Sequence, residues 1–177
     1  MNKTNFETDI EVKRILRVDH AGEKGAIQIY TAQAKVARWL YPDLNETLSE
    51  MLAHEKEHFA IFDTILRRRG VRSCYSLFLW SLGGFLLGII SALLGRRAIG
   101  VTTDAVETTV LEHLEWQLDF LKQTDPEVYR AVLSIQANEV EHREWGRLAG
   151  TDSVLYRPIY WVVSGTTAFA IWLSTKL

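Results

Sequence analysis

Apolar positions in this chain recur at intervals of three and four and almost never alternate. That spacing places side chains along one face of an α-helix. It predicts six helices, over about 8–40, 44–69, 74–95, 99–123, 126–149 and 153–173. Sustained alternating runs bounded by turn pairs are missing, so no strand is expected. The turns "YPDL" (41–44) and "QTDPE" (123–127) each put a proline near a helix start. Gly70 and Gly150 read as helix stops. Short turns make consecutive helices antiparallel neighbours. The expected fold class is all-α, in a single domain spanning 1–177.

Four of the apolar stripes are interrupted by charge. One runs Leu48, Met51, Leu52, Glu55, His58, Phe59, Phe62, Ile65, Leu66. A second runs Val128, Val132, Ile135, Glu139, His142, Gly146, Ala149. Glu23 sits in the stripe Leu16, Ala26, Ile27, Tyr30, Ala34, Ala37, and Glu107 in the stripe Thr103, Val110, Leu111, Leu114, Leu118, Leu121. An ionised carboxylate facing a core loses solvation worth several kcal/mol, and four together also repel.

These residues form an internal repeat. "AHEKEHF" (53–59) and "ANEVEHR" (137–143) share A-x-E-x-E-H at an offset of 84 residues, and the same offset carries Glu23 onto Glu107. Each helical hairpin, about 8–69 and about 99–149, therefore holds a lone Glu and then a Glu-x-x-His. The candidate ligands are Glu23, Glu55, His58, Glu107, Glu139 and His142. Two divalent cations would cancel four negative charges. An oxygen-rich set with imidazole and open positions suits iron or manganese, with zinc allowed.

"HEKEH" also reads as His54-Glu55-x-x-His58, the zinc-protease helix motif. The repeat speaks against it, because the position matching His54 is Asn138. On this reading His54→Ala keeps its metal. His54, Glu57, Glu141 and Glu144 lie off the stripes and are expected in solvent. His20 and His113, near Glu23 and Glu107, are either supporting partners of the ligands or polar residues without that role.

Composition narrows the picture further. Hydrophobic residues make up 47% of the 177, and the formal net charge is −2, which gives no general reason to bind nucleic acid. Cys74 is the only cysteine, which excludes an internal disulfide and a thiolate metal cluster and points to a reducing compartment. "MNKTNFETDIEVKR" looks like neither a secretion signal nor a transit peptide.

The segment "LFLWSLGGFLLGIISALL" (77–94) carries no charge. At about 1.5 Å per residue it reaches about 27 Å, near a bilayer core of about 30 Å. A span would put the hairpins on opposite sides of the membrane, where their ligands could not meet. The segment is therefore expected in the interface, packed with "YWVVSGTTAFAIWL" (160–173). Arg67, Arg68, Arg69, Arg72, Arg96 and Arg97 flank it and would face anionic headgroups. Gly84 and Gly88 permit close helix contact.

"ILRVDHAGEKGAIQIY" (15–30), "HEKEHF", "LGGFLLGIISALLG" (82–95), "DAVETTV" (104–110) and "NEVEHREWG" (138–146) together resemble the demethoxyubiquinone hydroxylase family. The resemblance runs from about residue 10 to the C-terminus. It implies a ferritin-like four-helix bundle with two additional hydrophobic membrane-associating helices, about 74–95 and 153–173. It implies a di-iron centre of two Fe ions held by Glu23, Glu55, His58, Glu107, Glu139 and His142, the six residues the repeat selects. Thr108 stands where the family often has a second Glu. The implied reaction is an O2-dependent hydroxylation of a polyprenyl benzoquinol in ubiquinone biosynthesis, with electrons from NADH directly or via the quinol. The implied location is peripheral, on the cytoplasmic face of a bacterial inner membrane. A lipid-delivering or biosynthetic-complex protein and a second copy of the chain are left open as partners. The alternatives are a ferritin-like iron oxidase or store, the zinc protease, and a non-enzymatic membrane-surface bundle.

Overall fold

The periodicity is realised as helices throughout the residues described by the computed structural model, 3–150 and 154–177. They are α1 (Lys3–Leu40), α2 (Asn45–Arg68), α3 (Leu77–Leu93), α4 (Arg96–Thr124), α5 (Pro126–Gly150) and α6 (Arg157–Ser174), with single 3-10 turns at Pro42–Leu44 and Val154–Tyr156. No strand occurs among the described residues.

Local chemistry sets the helix ends. Gly70 adopts φ +63, which an L side chain rarely tolerates. Its N–H donates to Arg67 O at 3.1 Å and that of Val71 to Leu66 O at 2.9 Å, closing the last turn of α2. Pro126 opens α5, and Asp125 Oδ1 accepts from the N–H groups of Glu127 and Val128 at 3.2 and 3.1 Å. The positive-φ glycines among the described residues are Gly70 and Gly95, so Gly150 is not a left-handed stop. Gly150 instead lets α5 lie against Val101: a Cβ there would come 3.0 Å from the Val101 side chain.

α1 pairs with α2 and α4 with α5, as two hairpins. The expectation that every consecutive pair are neighbours fails for the apolar helices. α3 packs mainly on α1, and α6 on α4. Small residues explain the first choice. A Cβ on Gly84 would strike the Gly25 carbonyl oxygen, and one on Gly88 would strike Ile29 O and lie 2.7 Å from Ala32 Cβ. The backbones of α1 and α3 thus touch directly, and Gln33 Nε2 donates to Ser91 Oγ at 3.0 Å across the seam.

The hairpins bury two apolar clusters. Val12, Leu16, Phe62, Leu114, Val132 and Ile135 belong to one, and Tyr30, Leu48, Met51 and Ile99 to the other. Along α1, α2 and α4 the interrupting glutamates fall between these clusters, in the dry middle of the molecule.

The flanking arginines are mostly engaged within the chain rather than free for headgroups. Arg67 pairs with Asp63 and Arg68 with Glu127. Arg69 reaches Asp125 and Glu127, tying the end of α2 to the start of α5. Arg96 donates to both oxygens of Asp43, at 3.0 and 2.9 Å. Arg72 and Arg97 have no acidic partner among the described residues, and Arg72 donates to the Tyr75 hydroxyl at 3.3 Å. No helix among the described residues is long and apolar enough to cross a membrane.

Candidate metal centre

α1 delivers Glu23, α2 Glu55 and His58, α4 Glu107, and α5 Glu139 and His142. All six are buried, none more than 6% exposed. Their ligand atoms fall into two groups, each within a sphere of mutual distances below 4.8 Å. Glu23, Glu55, His58 and Glu139 make the first, and Glu55, Glu107, Glu139 and His142 the second. Glu55 and Glu139 are common to both. The 84-residue offset exchanges one group for the other. Each group could hold a cation with a Glu and a His of its own and a share in the two common carboxylates.

The donor atoms point at one another without satisfying one another. His58 Nδ1 lies 2.9 Å from Glu139 Oε1 and 3.6 Å from Glu23 Oε2. His142 Nδ1 lies 3.2 Å from Glu55 Oε1 and 3.6 Å from Glu139 Oε2. Yet Glu55 Oε1, His58 Nδ1 and His142 Nδ1 make no directed hydrogen bond. Orphaned buried atoms on this scale cost a metal-free protein stability. Their convergence fits divalent cations, and the residues present are a sufficient set to hold them.

Electrostatics agree. Burial, joined by repulsion from Glu139, pushes the carboxyls of Glu23, Glu55 and Glu107 well above the usual range. Burial also acts to raise Glu139, but His142 and His58 overcome it and pull it to about 2. For His142 burial acts downward, and Glu139 and Glu55 reverse it to about 9. Without metal the cluster therefore keeps protons, which metal loading must displace.

Several contributors escaped the sequence reading. Tyr30 is buried, and its hydroxyl donates to Glu107 Oε1 at 2.5 Å. Burial and then the Glu107 charge push its pKa well up, so it stays a donor. The signal was available: Tyr30 is on the Glu23 stripe, yet it was counted only as apolar. His54, expected in solvent, is half-buried, and its Nδ1 lies 3.1 Å from His142 Nε2. Glu57 and Glu141 are exposed as expected, while Glu144 pairs with Arg143 and Arg147 at the surface. His20 contacts Asp63 at 3.5 Å and Phe59, and His113 accepts from Trp116 Nε1 at 3.2 Å. Neither hydrogen-bonds the six. Thr108 donates to Asp104 Oδ1 at 3.2 Å and leaves the cluster alone. His54 belongs to neither donor group, so it does not join His58 on one ion as a zinc protease requires.

A cavity of about 430 Å³ opens onto the carboxylates Glu23, Glu55, Glu107 and Glu139. Leu86, Leu87 and Ile90 of α3 form one wall, and Val162, Thr166 and Ala170 of α6 the other. Asp19 also lines it, with Oδ1 held by Gln117 Nε2 at 2.8 Å and Oδ2 unpartnered. Burial raises the Asp19 carboxyl from 3.8 to about 7, against the lowering from its Gln117 bond. A raised folded-state pKa favours the protonated folded form. That contribution is intact below pH 3.8 and is lost as pH climbs to about 7, a change on the order of 4 kcal/mol. Asp19→Asn is therefore expected to leave the melting temperature of metal-free protein nearly unchanged at about pH 4 and to raise it at about pH 8. Equal shifts at both pH values would contradict the assignment.

Comparison with known proteins places the chain. The family model described as ubiquinone biosynthesis protein COQ7 matches residues 10–174. The chain is 36% identical over 170 residues to the NADPH-dependent 3-demethoxyubiquinone 3-hydroxylase, mitochondrial, of Dictyostelium discoideum, covering 94% of this chain and 77% of that protein. It is 34% identical over 170 residues to the 3-demethoxyubiquinol 3-hydroxylase of Rhodospirillum rubrum, covering 94% and 78%. To the Mus musculus NADPH-dependent 3-demethoxyubiquinone 3-hydroxylase, mitochondrial, it is 33% identical over 174 residues, covering 93% and 77%. Buried paired donors on an all-helical frame and a match over nearly the whole length lead to one conclusion: the chain belongs to the COQ7 family of ubiquinone biosynthesis proteins.

Proposed function

We propose that the protein is an O2-dependent di-iron monooxygenase that hydroxylates the ring of a demethoxyubiquinone-type polyprenyl benzoquinol in ubiquinone biosynthesis. The observation that carries this reading is the cavity, which joins the gap between α3 and α6 to the carboxylate cluster. An iron store has no evident need of such a passage. The names of the relatives support the substrate class and the hydroxylation.

In this reading the chain is one ferritin-like domain, with α3 and α6 added to a bundle of α1, α2, α4 and α5. Glu23 and His58 would hold one ion and Glu107 and His142 the other, with Glu55 and Glu139 within reach of both. The chemistry that two irons would supply there is O2 activation, in which one oxygen atom would enter the ring and the other would leave as water. The protein's own tasks are placement, dryness and proton control. The apolar walls from α3 and α6 receive the prenyl chain. Unpartnered polar atoms line the cavity, among them Asp19 Oδ2, Trp80 Nε1 and His113 Nε2, and they offer hydrogen bonds to ring oxygens. Tyr30 keeps its proton, donates it as a hydrogen bond to Glu107 Oε1 and so limits the freedom of that carboxylate.

Electrons come from a reduced nicotinamide, directly or through the quinone; the names of the Dictyostelium and mouse relatives print NADPH. The apolar outer faces of α3 and α6 attach the protein to one leaflet, as a peripheral protein on the cytoplasmic face of a bacterial inner membrane. A lipid-delivering protein or a second copy of the chain fits the same exposed faces.

Quinone profiling of a deletion strain tests the function. A precursor short of one ring hydroxyl is expected to accumulate, to disappear on return of the wild-type gene, and to persist with Glu107→Ala. A strain whose quinones are unchanged by the deletion would end the proposal.

A further inference from the structure

The first histidine of "HEKEH" has no place in the ligand set, yet it is not idle. Its Nδ1 lies 3.1 Å from His142 Nε2, with the rings 5.4 Å apart and nearly parallel. On the other side of the cluster, Asn138 Oδ1 lies 3.2 Å from His58 Nε2. His54 and Asn138 are separated by the same 84 residues as the ligands, and each immediately precedes a bridging glutamate. Each therefore reaches across to the histidine of the opposite hairpin. The two contacts are one interaction made twice, with different residue types.

The chemistry of the pair is shared. Both ligand histidines direct Nδ1 into the cluster, which leaves Nε2 facing outward. A proton on Nε2 requires an acceptor, and its presence there frees the Nδ1 lone pair for a metal. Asn Oδ1 and His Nδ1 are both acceptors at the δ position of their side chains, equally far from the backbone. Either can do the same task from the same helical position. Because the contact crosses between α2 and α5, it also fixes how the two Glu-x-x-His arms face each other.

We propose that His54 and Asn138 are positioning residues, each fixing the tautomer and ring rotation of the opposite hairpin's ligand histidine. The proposal rests on the two-metal reading given above. His54 governs the ion held by Glu107 and His142; Asn138 governs the ion held by Glu23 and His58. The contrast of imidazole on one side and amide on the other makes the two metal positions chemically unequal.

Anaerobic Co(II) titration of the purified full chain, followed optically, reads both binding steps without reference to turnover. His54→Ala is expected to keep both ions at saturating metal, as its place outside the ligand set requires, but to weaken one step by about 10–100-fold and leave the other in place. Asn138→Ala is expected to weaken one step likewise, and the double variant both. His54→Asn, which restores an acceptor at the δ position, is expected to bind like wild type, whereas His54→Gln, whose acceptor lies one carbon further out, is not. Metal-free melting temperatures of all variants control for simple loss of packing. Wild-type binding of two ions with both steps unaltered in His54→Ala and Asn138→Ala would overturn the proposal. So would equal losses in His54→Asn and His54→Ala. A wild type that binds no metal would remove the two-metal reading itself, and the proposal with it.

Discussion

Glu139→Ala is expected to empty both metal positions, whereas Glu23→Ala or Glu107→Ala empties one. The difference follows from membership in the donor groups. Glu139 and Glu55 belong to both, but Glu23 and Glu107 to one each. Four carboxylates balance two divalent ions in a site less than 6% exposed at any bridging residue. Removing a carboxylate common to both groups takes a donor and a balancing charge from both ions at once in a low-dielectric interior, whereas losing Glu23 or Glu107 takes them from one. Removing a terminal carboxylate leaves the distant ion its own Glu, its own His and both bridges. Metal analysis should give about two ions per chain in wild type, about one in Glu107→Ala, and close to none in Glu139→Ala. Hydroxylation should fall to background in both variants, since the proposed chemistry uses the pair. Retention of wild-type metal content by Glu139→Ala would show that the two groups are not bridged by this residue.

Much of this centre was visible in the chain before any coordinates. The apolar stripes placed Glu23, Glu55, Glu107 and Glu139 inward, and the 84-residue offset paired them across the halves. Helix boundaries followed from local chemistry: Gly70 ends α2 and Pro126 begins α5 where the turn residues said they would. What periodicity does not encode is which helix lies opposite which. Gly84 and Gly88 announced a close contact for α3, but only the fold shows its partner to be Gly25, Ile29 and Ala32 of α1 rather than the expected C-terminal stretch 160–173. His54 was misplaced for the same reason. It is off the apolar stripe of its own helix, and a contact made across hairpins leaves no trace in the spacing of either one. The start of the last helix was set at about 153. Residues 151–153 lie outside the described chain, and a 3-10 turn at Val154–Tyr156 delays α6 to Arg157, beside Pro158 in its first turn.

The second large effect is expected at the apolar outer surface. Phe78→Asp with Leu82→Asp should release the protein from lipid vesicles while leaving its metal content unchanged. α3 exposes Phe78 at 74%, Leu82 at 46%, Leu86 at 51% and Ile90 at 53%, and α6 exposes Trp161 at 70%, Phe169 at 57% and Trp172 at 54%. So many large apolar side chains facing water on two helices that line one cavity need a cover. In the proposed reading that cover is lipid, with the outer faces of α3 and α6 lying in the interface. Each large side chain transferred out of water is worth about 2 kcal/mol, so losing two weakens partitioning by about a thousandfold before the added charges count. Phe78 and Leu82 are the cleaner probes, because Leu87, which resembles them in sequence, packs against Ile29, Ala105, Val106 and Val163. A charge at Leu87 would disturb the cavity wall as well as the surface. Flotation with anionic vesicles measures the release, and turnover of a short-tailed quinone in detergent checks that the site survives. If the double variant floats with vesicles as wild type does, the outer faces of α3 and α6 are not the membrane contact.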